Sequence, residues 1–162
     1  MGIRVKAANR VQVNTDGYAT GTFVEIREGK GKTLVQKSKS DVDERVYDRF
    51  EFVLVADGTV APIEMVLFTG TTLNHEPHDF VGRGRQRKPI YNRLTTFCLA
   101  LGILKSDELS TDISPSVVDR VAAALNDLEG ERVRFKLGQV EGKMITVPRL
   151  ETFELIASSD RE

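Results

Sequence analysis

Apolar and polar positions alternate with a period of two at both ends of this chain and recur at helical spacing between them. The first alternating stretch, "VQVNTDGYATGTFVEIR", holds Asp16-Gly17 between Val11–Val13 and Tyr18–Arg27. That dipeptide between β-prone runs predicts a hairpin turn. The segment Glu28–Glu44 is rich in Gly, Lys and Ser and reads as a long loop, with strand character returning only at Thr33–Gln36. A second hairpin is expected in "VYDRFEFVLVADGTVAPIEMVLFTG", where Asp57-Gly58 suits a turn needing positive φ. Phe50, Phe52 and Leu54 share one face of its first strand, and Val53 and Val55 make the other face apolar as well, as in a strand covered on both sides. Pro62 puts the start of the next strand at an edge or bulge.

No periodicity is visible from Thr71 to Lys88. A helix then opens at Pro89, with Ile90, Leu94, Phe97 and Leu101 at helical spacing and Gly102 near its end. A second helix is capped by Ser114, has Pro115 in its first turn, carries Val118, Val121, Leu125 and Leu128 as its apolar stripe, and stops at Gly130. The last stretch, "ERVRFKLGQVEGKMITVPRLETFELI", reads as two strands. Val133, Phe135 and Leu137 face one way and Arg132, Arg134 and Lys136 the other, and Pro148 should bend or bulge the final strand. The order is three strands, a helical insertion between strands three and four, then a hairpin. This makes a mainly β domain with two helices over residues 1–157, and 158–162 as a short polar tail.

That order resembles the OB-fold, a five-stranded Greek-key barrel. The stretches "GYATGTFVEI", "RFEFVLVADG", "RKPIYNRLTTFCLALGIL" and "LEGERVRFKL" are similar in spacing to small OB-fold single-stranded-DNA-binding proteins of phage and prokaryotic type. Two helices instead of one, and the absence of tryptophan, depart from that pattern. The resemblance implies a ligand groove formed by the face of strands two and three with the loop joining strands one and two and the loop joining strands four and five.

Composition sets limits on function. With 162 residues and 40% hydrophobic content, a single soluble domain is expected, with no apolar run near the ~20 residues of a membrane span. The start "MGIRVKAANR" has no apolar core of an export signal, and Lys6 breaks the myristoylation pattern. The single cysteine, Cys98, makes no internal disulfide, which fits a reducing cytoplasm. Its place beside Phe97 marks it as a core residue and not a nucleophile. "GKGKT", Gly29–Thr33, lacks the earlier glycine of a phosphate-binding loop, because Ile26 stands there. His75 and His78, with Glu76 and Asp79, fall short of a zinc ligand set. No cofactor, metal site or catalytic constellation is expected, and the chain reads as non-enzymatic.

Charge redirects attention to polyanions. The net charge of −1 hides blocks of +5 over 1–39, −7 over 40–81, +5 over 82–93 and −4 beyond. The stretch "GRGRQRKPIYNRL" carries Arg83, Arg85, Arg87, Lys88 and Arg93 and no acid. Arg27, Lys30, Lys32, Lys37 and Lys39 lie in or near the expected first loop, and Lys143 near the second. These cations fit phosphates on a flexible strand, and they equally fit solvated loops. Tyr91, Tyr18 and Tyr47 are the candidate stacking residues, Tyr91 being flanked by Lys88 and Arg93. Arg132, Arg134 and Lys136 read as a solvent face paired with nearby acids, and the acidic "SDVDER" could meet a neighbour's basic segment in a homo-oligomer. The expected function is binding of single-stranded nucleic acid, DNA first, with little sequence preference. The alternative is a protein-interaction or oligomerisation barrel.

Overall fold

A computed structural model of the chain describes residues 3, 8–36, 38–74, 79–81, 88–109, 113–139 and 146–156. Three long strands come first: β1 (Ala19–Gln36), β2 (Val42–Ala56) and β3 (Ile63–Thr69). They are followed by β4 (Asp79–Val81), β5 (Lys88–Ile90), α1 (Arg93–Ala100) and α2 (Pro115–Asn126). The chain closes with β6 (Arg132–Phe135), β7 (Leu137–Gln139), β8 (Thr146–Pro148) and β9 (Glu154–Leu155).

Five strands form one antiparallel sheet in the order β3-β2-β1-β6-β9, while β4 pairs β5 and β7 pairs β8 in separate ribbons. The fold is therefore mainly β with two helices, both lying between the third and fourth strands of the main sheet. No ladder joins β3 to β9 among the described residues, so the sheet is established and a closed barrel is not.

The inner face of this sheet makes the core. Phe23, Phe52, Leu54, Val133 and Phe135 are fully buried there, against Phe97 of α1 and Phe153. Phe23 meets the rings of Phe52, Phe97 and Phe153 at 6.0–6.3 Å, and Phe135 stacks on Phe153 at 4.8 Å. Each such side chain removed from water contributes about 1.5–3 kcal/mol, so the phenylalanine cluster is what holds helices to sheet. Helix α2 adds Val121 and Leu125.

Several local expectations change. The segment Glu28–Glu44 is not a loop: β1 and β2 stay paired from Gly21↔Ala56 out to Gln36↔Val42. From Arg49 outward no third strand joins the ribbon among the described residues, since β3 pairs only Phe50–Ala56 and β6 only Ala19–Thr22. Eight residues of each strand thus project as a two-stranded arm, on the order of 25 Å long at ~3.3 Å per residue. Its glycines misled the sequence reading, because glycine is normally poor in strands. Here a Cβ at Gly29 would run into the Glu51 carboxylate and one at Gly31 into the Tyr47 ring, so cross-strand side chains fill the gaps.

Gly17 takes the expected positive φ of 87°, but Gly58 does not. Gly58 is needed for close approach, since a Cβ there would strike the Ala61 carbonyl oxygen. Asn9 ties this β2–β3 connection down, accepting from Val60 and Ala61 and donating to the Ala61 carbonyl. The first helix begins at Arg93 and not at Pro89, because Lys88–Ile90 pairs with β4 and Asn92 caps by accepting from the Thr95 amide at 2.9 Å. The second helix starts as expected, Ser114 accepting from the Val117 amide at 3.3 Å. Val118, expected in its buried stripe, is 46% exposed. After Pro148 the last strand breaks into a 3-10 turn, Leu150–Thr152, before β9.

Candidate nucleic-acid interface

The two faces of the sheet differ in chemistry. Residues pointing away from the helices include Thr20, Thr22, Glu25 and Arg27 of β1, Arg49 and Glu51 of β2, Phe68 of β3, and Arg132 and Arg134 of β6. The registers place them on one side. Glu51, buried to 8% exposure, is bound by Arg27 at 2.7 Å and by Arg49 at 3.0 and 3.1 Å. The Arg27 hydrogen bond, with Arg49's, holds the Glu51 carboxyl below its ordinary range against the opposing pull of burial. Arg49 is thereby oriented with its guanidinium 4.0 Å from the centroid of the Phe68 ring. Such a cation over an aromatic face, held by a buried acid, is a fixed element of surface and not a wandering side chain.

Phe68 connects this face to a second feature. Arg93, the first residue of α1, donates from Nε to the Phe68 carbonyl at 2.9 Å. With Tyr91, Thr96, Val147, Pro148, Arg149, Leu150 and Glu151 it lines a groove of about 260 Å³. A larger neighbouring groove of about 730 Å³ shares Tyr91, Thr96 and Glu151 and continues to Lys105 and Ser106. Tyr91 therefore sits at the junction of both grooves, half-buried, between Arg93 and Arg149. Asn92 fixes this corner by donating to the Thr72 carbonyl at 2.8 Å while capping α1.

The expected site residues separate as follows. Tyr91 and Arg93 come together at the groove. Tyr18 lies on the same outer face of the sheet but at the β6 side, where Arg134 and Lys136 approach its ring at 4.7 and 5.0 Å. Arg134 also binds Glu154 at 2.7 Å, and Arg132 binds Asp57 at 2.7 Å. Arg134 thus has an expected last-strand acid as partner, whereas Arg132 has one not anticipated, Asp57. Burial pushes the Asp57 carboxyl up, but the hydrogen bonds from Arg132 and Thr20 outweigh it and leave it below its ordinary value. Lys30 and Lys32, expected in a long loop, are on strand β1. They point to the inner side of the arm and pair with Asp48 and Glu44. Their placement and pairing remove them from the outer track.

Lys88 lies in β5, which pairs with β4. Arg83, Arg85 and Arg87 join these two strands in sequence and lie outside the described residues, as do Lys37, Lys143, His75, His78, Glu76 and the tail 158–162. Cys98 is fully buried, and burial pushes its thiol up to about 12, which leaves no thiolate for chemistry at neutral pH. No cluster of three metal-ligating side chains exists among the described residues, and no described helix is long and apolar enough to cross a membrane.

Four residues of this surface escaped the sequence reading: Arg45, Arg49, Phe68 and Arg149. Phe68 was discoverable, because Leu67 and Thr69 flank it as buried positions of an alternating strand and force it outward. Arg45 became visible only once the arm was seen as strand. It lies opposite Thr33 on the same face as Tyr47, with no ion-pair partner among the described residues.

Comparison with family models, curated proteins and solved structures finds no match to this chain.

Proposed function

We propose that the protein is a non-enzymatic binder of single-stranded nucleic acid, DNA first, with an OB-like sheet as its platform. One observation carries the reading: Arg93 joins the Arg49–Phe68 pair of the outer sheet face to the Tyr91 groove. This gives a run of aromatics, the exposed Phe68 and the half-buried Tyr91, alternating with guanidinium groups. Tyr47 and Arg45 extend the run along the outer side of the arm, and Arg149, paired with Glu151 at 2.8 Å, ends it in the groove that Tyr91 lines. Aromatic faces accept any base, and each stacked base contributes about 1–3 kcal/mol. Guanidinium groups hold phosphate without reading sequence. The strand order β3-β2-β1-β6-β9 fits an OB barrel whose closure would fall between β3 and β9. Arg83, Arg85, Arg87 and Lys88 belong to the connection entering Tyr91 and supply further phosphate contacts in this reading, and Tyr18 offers a second stacking point near Arg134.

Anisotropy titration of a labelled oligothymidine at low salt tests it. The wild type is expected to bind, and Arg45→Glu, at an exposed site with no ion-pair partner among the described residues, to weaken binding several-fold without loss of fold. No binding at low salt overturns the reading. The apolar inner side of the arm favours a second reading, a protein-interaction module.

A further inference from the structure

We propose that two copies of this chain dock reciprocally, the inner side of each arm lying in an apolar groove beside α2 of the other. The inner side of the arm bears Leu34, Val42 and Val46 at 70%, 55% and 59% exposure. Registers put all three on the face that, closer to the body, carries Ile26, Phe50 and Phe52 of the core. These apolar positions stay on one side from the core to the tip of the arm, interleaved with Glu28 and with the Lys30–Asp48 and Lys32–Glu44 pairs.

Where the strip meets the body it opens into two adjoining hollows of about 90 and 320 Å³, both lined by Phe50, Ala122 and Leu125. Val118, half out of its own helix stripe, borders the larger one. Strip and groove are thus two unsatisfied apolar features on one side of one chain. A single two-fold rotation can set each against its counterpart, which is the self-matching arrangement of a closed dimer.

Charge points to the same occupant. The cations of the strip, Lys30 and Lys32, are already matched across the ribbon by Asp48 and Glu44, so this side does not repel a copy of itself. Lys39 at the arm's tip and Asp119 on α2 are exposed and have no ion-pair partner among the described residues. Asp119 stands on the helix row of Ala122 and Asn126, which line the smaller hollow. The tip of one arm would bring Lys39 to Asp119 of the other copy. Exposed apolar residues on a projecting ribbon are otherwise an aggregation hazard, and burial against a copy removes it. This inference does not depend on the nucleic-acid reading, because the outer side of the arm stays free in the dimer.

Light scattering on the eluting full chain, without nucleic acid, gives the mass. Wild type at about 100 µM is expected to run at twice the chain mass, and both Leu34→Lys/Val46→Lys and Val118→Asp to run as folded monomers with unchanged circular dichroism. A monomeric wild type overturns the proposal. So does a Val118→Asp protein that remains dimeric, since the arm would then dock elsewhere. Mixing Leu34→Cys with Val118→Cys under oxidising conditions should give a mixed disulfide between the two chains, Cys98 being buried. Only self-linked or unlinked products would contradict reciprocity.

Discussion

Single side chains decide whether the outer surface is a track or a coincidence of charges. Glu51 is the pivotal one, because its burial between Arg27 and Arg49 converts two flexible cations into a fixed pair and aims one of them at Phe68. Tyr91 lines both grooves, together with Thr96 and Glu151. Tyr91→Ala should weaken oligothymidine binding by about 5- to 150-fold, from the ~1–3 kcal/mol of a stacked base, while Tyr91→Phe should retain most of it. Anisotropy with both variants checks this, and an equal loss for Phe would assign the effect to the hydroxyl instead. Gly58 makes a prediction of another kind. Gly58→Ala drives a methyl into the Ala61 backbone, and the unfolding free energy should fall by about 1–3 kcal/mol, the usual cost of overpacking, as read in urea denaturation.

Elements were legible in the sequence where local chemistry and tertiary packing agree. The α2 helix is such a case, since Ser114 and Pro115 begin it just where the caps prescribe. Ser114→Ala should cost about 1 kcal/mol in the same denaturation assay. The entry to α1 was misread because Pro89 is as compatible with a strand residue as with a first helical turn, and only pairing with Phe80 decides between them. The arm was invisible for a related reason: its glycines are tolerated by cross-strand contact with Glu51 and Tyr47, a non-local fact. Likewise no spacing rule brings Phe68 and Arg93 together, so half of the candidate site emerged only with the fold.

The turn between the helices is clasped by Arg120, whose guanidinium meets both Glu108 oxygens at 2.6 Å. The Arg120 hydrogen bonds first, then the Lys105 amide, bring the Glu108 carboxyl to about 2 from an ordinary 4.5. A carboxylate lowered on folding stabilises above its unfolded value and loses that effect as pH falls through the folded one. The stability gap between wild type and Glu108→Gln should therefore be constant above pH 5 and shrink from about 4.5 towards 2. Thermal melts across that range check it; a gap that widens on acidification would contradict the clasp.

At the scale of the whole molecule, a net charge of −1 conceals a division of labour. Acids are spent in pairing cations within the sheet and along the inner side of the arm. On the outer face and around Tyr91 the acids Glu51 and Glu151 hold Arg49 and Arg149 in place, while Arg45 and Arg93 have no acid partner among the described residues. Such a surface binds by counterion release, so affinity must depend on salt in a countable way. The most direct measurement is the slope of log affinity for oligothymidine against log salt concentration. Four or five phosphates held by the track give a slope of about −3, at ~0.7 per contact, and a slope near zero, or no binding at any salt, would contradict it.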